Sequence, residues 1–182
     1  MFSGQPGVGK TFTAYALANE LGCTIAGTQV EQVWGGFREL SSGDQLKDDV
    51  RESLNWLHYR PMNKTGWKML LLNEADKMST EAQVVFLDGL EHLPAQSCVV
   101  FTTNNPTGLD YRFRDRCLHF EYEAEVGRLK SAALALVRDV WQQETGRKDA
   151  PSLADLGCDF QHGSLSLRGV LTRLEPILMA AQ

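Results

Sequence analysis

The chain has 182 residues, enough for one domain or for one domain with a small appendage. Its apolar fraction of 43% supports a sizeable core and argues against disorder. Its net charge of −5 argues against a protein that holds nucleic acid by bulk electrostatics alone, although local basic patches stay possible.

In chain order, Met1-Phe2-Ser3 is followed at once by Gly4-Gln5-Pro6-Gly7-Val8-Gly9-Lys10-Thr11, which matches G-x-x-x-x-G-K-[ST]. Such a loop normally follows a complete central strand. Either that strand is very short here, or the chain lacks an N-terminal segment, so a truncated first strand is expected. A helix over Thr11–Leu21 and another over Gln45–Tyr59, with Leu46, Val50, Leu54 and Leu57 on one face, come next. Lys68–Leu72, Ser97–Thr102 and Leu118–Tyr122 are short continuous apolar runs, as expected for strands covered on both faces. Between the first two, Ala82, Phe86, Leu90 and Leu93 predict a helix over Thr80–Leu93, with Thr80 and Gln83 as its capping box. The alternation of strand and helix predicts an α/β fold with a parallel sheet.

Near Glu123 the pattern changes. Val126, Leu129, Ala133, Leu136 and Val140 mark a long helix with no adjoining strand. Gly146–Pro151 is a polar break, and Ser164–Leu178 reads as a further helix disturbed late by Pro176. The expected division is therefore an α/β domain over residues 1–123 and a small helical domain over 124–182. Cys23, Cys98, Cys117 and Cys158 form no CxxC pair, and His58, His92, His119 and His162 lack ligand spacing. Reduced thiols in a cytosolic protein are expected, not disulfides or zinc. No apolar run is long enough for a membrane span, and the N-terminus carries no secretion signal, so the expected location is the cytoplasm.

The glycine-rich loop allows successive backbone N–H groups to cradle phosphate oxygens, with the following helix pointing its positive end at the anion. The Lys10 ammonium would reach the β/γ-phosphates and the Thr11 hydroxyl would ligate Mg²⁺. The candidate nucleotide-binding set is Gly4, Pro6, Gly7, Val8, Gly9, Lys10, Thr11 and Phe12. In Met69-Leu70-Leu71-Leu72-Asn73-Glu74-Ala75-Asp76, an apolar strand ends in polar groups. Glu74 is the candidate to orient and polarise an attacking water, while Asp76 is expected to act structurally. Phe101-Thr102-Thr103-Asn104-Asn105 ends the neighbouring strand, and Asn104 is the choice to stand between the γ-phosphate and that water, with Thr103 and Asn105 as alternatives. Arg112-Phe113-Arg114-Asp115-Arg116-Cys117 reads either as a solvated edge or as the source of an arginine finger for a neighbouring subunit.

Taken together, these motifs resemble those of the AAA+ ATPases, a P-loop NTPase fold with a helical lid. Within them they resemble clamp-loader ATPase subunits of the replication factor C and DNA polymerase III gamma and delta-prime type. GQPGVGKT is similar to that family's phosphate loop, LLLNEAD to its hhhhDExD box and TTNN to its first sensor. Asp115-Arg116-Cys117 resembles S-R-C, which implies Arg116 as a finger acting in trans. Gly163-Ser164-Leu165-Ser166-Leu167-Arg168 resembles the second sensor, stretched by two residues, which implies Arg168 near the γ-phosphate. The resemblance implies ATP and Mg²⁺ as cofactors, Thr11 and Asn73 on the metal side, and a hydrolytic ATPase working with other AAA+ subunits, with a sliding clamp and primed DNA as further partners.

Asn73 stands where the family's metal box has an aspartate. A carboxylate and a divalent ion at ~4 Å attract by about 8 kcal/mol at an effective dielectric of 20, before desolvation is subtracted. The amide keeps an oxygen but gives up the charge, so weakened Mg²⁺ coordination is expected. That departure keeps open a noncatalytic ATP-binding stator or adaptor. A P-loop kinase using Arg138, Arg147 and Lys148, or a helicase loader, fits less well.

Overall fold

The computed structural model describes residues 1–122, 126–158 and 166–181. Five strands, β1 (Phe2–Gly4), β2 (Phe37–Leu40), β3 (Lys68–Leu72), β4 (Ser97–Thr103) and β5 (Phe120–Tyr122), form one sheet in the order β2-β3-β4-β1-β5. β2 pairs with β3, β3 with β4 and β4 with β1, all in parallel. Parallel neighbours need a crossover between them. Helices α1 (Lys10–Glu20) and α2 (Gln29–Trp34) lead from β1 to β2, α3 (Lys47–Trp56) from β2 to β3, α4 (Thr80–Glu91) from β3 to β4, and the short α5 (Tyr111–Asp115) from β4 to β5. The remaining described helices are α6 (Val126–Thr145) and α7 (Leu167–Ala181).

The first strand is present and has three residues, with Phe2 opposite Thr102 and Ser3 opposite Thr103. The expected strand over Leu118–Tyr122 begins at Phe120, because Leu118 is 80% exposed and spends its carbonyl on the Met1 ammonium at 2.6 Å. The cap of α4 lies one residue earlier in the chain than the expected Thr80. Ser79 is the cap, extended at ψ 152°, and its Oγ accepts from Ala82 N at 3.2 Å. Gln83 instead donates to Met78 O and accepts from Asp110 N. Neither β2 nor α2 was predicted. α2 is set by a local capping box, in which Thr28 N donates to the Glu31 carboxylate and Glu31 N to the Thr28 hydroxyl.

Contacts divide the chain into two compact units, Met1–Ser3 with Lys10–Glu121, and Gly4–Gly9 with Tyr122–Gln182. In the first, all five β3 residues are buried. Lys68 is among them; its ammonium donates to the Leu57 carbonyl, and burial pushes its pKa down. The core behind β3 and β4 joins Leu70, Leu72, Val50 and Leu57 to an edge-to-face trio of Phe86, Phe101 and Phe113. The second unit has its own core, in which Val8 packs with Leu129, Val137, Trp141, Val170 and Leu174. Pro176 lies inside α7 without ending it, although its missing N–H costs that helix one hydrogen bond. The four cysteines are free thiols, and burial pushes Cys23 up to about 11. Among the described residues no helix is long and apolar enough to cross a membrane.

Candidate nucleotide-binding site

β1 runs directly into the loop 4–9, and α1 begins at Lys10. Gly4, Gly7 and Gly9 all have positive φ, at 142°, 77° and 103°. At two of them a side chain is excluded by its neighbours as well. A Cβ on Gly4 would lie 2.7 Å from the Tyr122 carbonyl oxygen, and one on Gly7 would lie 2.8 Å from the Ser166 side chain. Gly7 O also accepts from Arg168 N at 3.3 Å, so the loop is tied to the first turn of α7 by its backbone. Val8 is buried, Pro6 is exposed and Phe12 is 76% exposed on α1. α1 has eleven residues, and its first-turn N–H groups suit an anion.

Within the first unit, the carboxyl ends of β2, β3 and β4 bring polar groups together. The buried Lys10 ammonium donates to Asn104 Oδ1 at 2.9 Å. Asn73, one residue beyond β3, accepts at Oδ1 from the Thr11 hydroxyl at 3.0 Å and the Thr102 hydroxyl at 2.9 Å. Its Nδ2 donates to Glu39 Oε1 on β2. Glu39 Oε2 accepts from the Tyr15 hydroxyl at 2.8 Å. The orientation of the amide follows from chemistry, because a carboxylate only accepts and so must face the NH₂ group. Gln45, 2% exposed, donates from Nε2 to both Leu40 O and Asn73 O, and Asn73 N donates to Leu40 O at 3.0 Å. β2 and β3 are therefore locked together where the polar groups project.

Burial, and then the bond to Glu39, push the Tyr15 hydroxyl up to about 12. A raised phenol holds its proton more tightly when folded. Its contribution to stability is complete below about pH 10 and is lost as pH rises toward 12. Tyr15→Phe is therefore expected to flatten the alkaline fall in stability. Urea midpoints of both proteins across that window check this; parallel curves would contradict it.

The other predicted residues occupy distinct positions. Glu74 has left-handed backbone angles, φ 54° and ψ 49°, its N–H donates to Thr102 Oγ1, and its carboxylate pairs with Lys77 at 2.5 Å. Asp76 ties the ends of β3 and β4, accepting from Thr103 Oγ1 at 2.6 Å and from Asn104 N at 3.4 Å. Asn105 caps the following turn through Thr107, and Thr103 is spent on Asp76. Arg116 follows α5, and its guanidinium pairs with Glu91. Arg168 is an exposed residue of α7; Gly163, Ser164 and Leu165 of the same motif lie outside the described residues, as does the expected boundary at residue 123. Glu39, Tyr15, Thr102 and Gln45 were not anticipated. The alternation Phe37-Arg38-Glu39-Leu40 was the available signal for Glu39, with Phe37 and Leu40 buried and the two charges between them.

Hydroxyl and amide oxygens backed by a carboxylate are hard donors, which suits Mg²⁺. Among the described residues there is no group of three or more His, Cys, Asp or Glu able to hold a metal alone.

A family model for the ATPase family associated with various cellular activities (AAA) matches residues 1–126. The replication factor C small subunit of Methanocella arvoryzae is 30% identical over 125 residues, which are 67% of this chain and 36% of that protein. The DNA polymerase III subunit gamma of Buchnera aphidicola is 28% identical over 134 residues, 66% of this chain and 37% of its own length. The chain thus spans little more than a third of the curated relatives it matches. Among solved structures, a DNA polymerase III gamma subunit-related protein of Thermotoga maritima superposes with TM-score 0.61 at 15% identity, over 96% of this chain and 52% of the other. The RuvB Holliday junction branch migration motor of Thermotoga maritima superposes with TM-score 0.62 at 16% identity, over the same shares.

Proposed function

Since the chain belongs to the AAA family of ATPases, with the clamp-loader-like motifs read above, we propose that it binds ATP with Mg²⁺ and hydrolyses it when joined to other AAA+ subunits in the cytoplasm. Residues 1–123 act as the nucleotide-binding domain and 124–182 as a helical lid. The supporting observation is the pair of contacts Lys10–Asn104 and Thr11–Asn73, which draw the end of the phosphate loop to the tips of β4 and β3. Gly4, Pro6, Gly7, Val8, Gly9 and Phe12 complete the nucleotide contacts. Lys10 holds the β/γ-phosphate oxygens and Thr11 and Asn73 face the metal. Mg²⁺, when bound, neutralises charge on the phosphates. Glu74, once it exchanges Lys77 for water, orients the nucleophile, with Asn104 fixing its position. Arg168 contacts the γ-phosphate from the lid, and Arg116 serves the neighbouring subunit. The replication factor C and DNA polymerase III gamma relatives support assembly with other AAA+ subunits, a sliding clamp and primed DNA as the setting.

The amide at Asn73 favours a second reading, an ATP-binding stator that does not turn over. Lys10→Ala tests what both share. A hydrogen bond to a charged group contributes about 1.5–3 kcal/mol, so the variant is expected to bind a fluorescent ATP analogue about ten- to a hundredfold more weakly. Equal affinity in the two proteins would sink nucleotide binding at this loop. Turnover of the parent above the Lys10→Ala background, with partner subunits, clamp and primed DNA present, selects the enzyme; ATP bound without turnover under those conditions selects the stator.

A further inference from the structure

The contacts of Asn73 show where the missing negative charge has gone. Its Oδ1 is turned to the Thr11 and Thr102 hydroxyls, and its Nδ2 to the carboxylate of Glu39. Glu39 lies on β2, opposite Leu71 of β3, and is carried to the same end of the sheet by a parallel register that continues from Phe37 to Leu40. Its second oxygen is held by Tyr15 from α1, the helix that also carries Thr11. The adjacent cation, Arg38, pairs with Glu52 at 3.0 Å and so does not neutralise Glu39. Gln45 and Asn73 N fix the two strand ends against each other, so neither residue drifts from the other.

We propose that Glu39 is a positioning residue of the magnesium site, returning through the amide of Asn73 the charge and orientation that a metal-box carboxylate would supply directly. This rests on the reading of the loop as an ATP·Mg²⁺ site. Two effects combine. Accepting from Nδ2, Glu39 keeps the amide oxygen rather than the NH₂ group on the Thr11 side, where a cation requires an acceptor. Its negative charge also raises electron density on that oxygen through the hydrogen bond. The site therefore uses a neutral ligand with an anion behind it, and Tyr15 holds the anion in place.

The test is the magnesium dependence of binding of a fluorescent ATP analogue, measured with the full chain in excess Mg²⁺ and in chelator. Glu39→Gln keeps an acceptor oxygen for Asn73 Nδ2, turns its NH₂ to the Tyr15 hydroxyl oxygen as a donor, and removes the charge with little change of shape. It is expected to weaken the apparent Mg²⁺ affinity about tenfold, in line with losses of groups that support metal ligands, while binding in chelator stays unchanged. The double variant Asn73→Asp with Glu39→Gln moves the charge back to β3 and is expected to regain the parent's Mg²⁺ response. Thermal melts within a few degrees of the parent, about 2–4 °C per kcal/mol at this size, exclude misfolding as the cause. If Glu39→Gln responds to Mg²⁺ as the parent does, or loses binding equally with and without Mg²⁺, Glu39 is only a structural residue and the proposal falls while nucleotide binding stands. If the parent itself binds no nucleotide, the underlying reading falls and takes this inference with it.

Discussion

Phe86→Ala is expected to destabilise the protein by about 3–5 kcal/mol, the range for removing a buried aromatic ring and leaving its cavity. Phe86 of α4 is fully buried, and its ring lies 5.3 Å from Phe101 of β4 and 5.9 Å from Phe113 of α5, each edge-to-face. Phe101 and Phe113 are themselves 5.0 Å apart, so the three rings close a triangle across three elements. Aromatic pairs of this kind add about 0.5–1.5 kcal/mol each beyond area burial. Removing Phe86 breaks two of the three pairs, and the rings left behind are fixed by a strand and a helix that cannot both collapse inward. Val84→Ala in the same helix is the control, because Val84 is 56% exposed and its loss should stay within about 0.5 kcal/mol. Urea melts of the three proteins decide; a Phe86→Ala loss below about 1 kcal/mol would mean that the trio is not the anchor of this core. The effect reaches the site, since β4 carries Thr102 and Asn104 at its end and α5 leads to Arg116.

How much of this was legible in the sequence depends on how local each signal is. The phosphate loop, β3 and β4 are continuous patterns, and each stands close to its expected place. The helix read over Gln45–Tyr59 shortens to Lys47–Trp56 and that over Thr80–Leu93 to Thr80–Glu91, the usual fraying of boundaries. β2 escaped because it has four residues, two of them charged, and is a strand only by virtue of its pairing with Phe37 opposite Met69. α2 escaped although Thr28-Gln29-Val30-Glu31 carries a capping-box pattern, since no long apolar stripe follows it. The contact between Glu39 and Asn73 joins residues 34 apart in the chain. Only the parallel register between β2 and β3 creates it, and no single stretch of sequence encodes that register. Asn73 therefore read as a loss of charge, when its carboxylate partner stands on the next strand.

Arg116→Ala is expected to leave ATP affinity unchanged and to lower turnover of the assembled protein by about 10³-fold or more, the contribution of an arginine finger acting in trans. Within its own chain the Arg116 guanidinium donates to Glu91 and, at 3.3 Å, to the Arg112 carbonyl oxygen. The two side chains of that ion pair are 38% and 51% exposed. An exposed pair contributes about 0–1 kcal/mol, so releasing Arg116 slows the reaction by at most about fivefold. A finger contributing 10³ lowers the barrier by about 4 kcal/mol. The magnitudes therefore allow Arg116 to leave Glu91 for a neighbour's γ-phosphate, and Glu91→Gln should raise turnover by no more than about fivefold. Mixing separates action in trans from action in cis. Lys10→Ala subunits offer an intact Arg116 but bind ATP poorly, while Arg116→Ala subunits bind ATP and lack the finger. Each preparation alone should be nearly inactive, and the mixture should regain hydrolysis wherever a Lys10→Ala subunit presents Arg116 to the ATP of an Arg116→Ala neighbour. A silent mixture, or Arg116→Ala subunits that hydrolyse ATP as the parent does, would return Arg116 to the solvated edge and leave Glu91 as its natural partner.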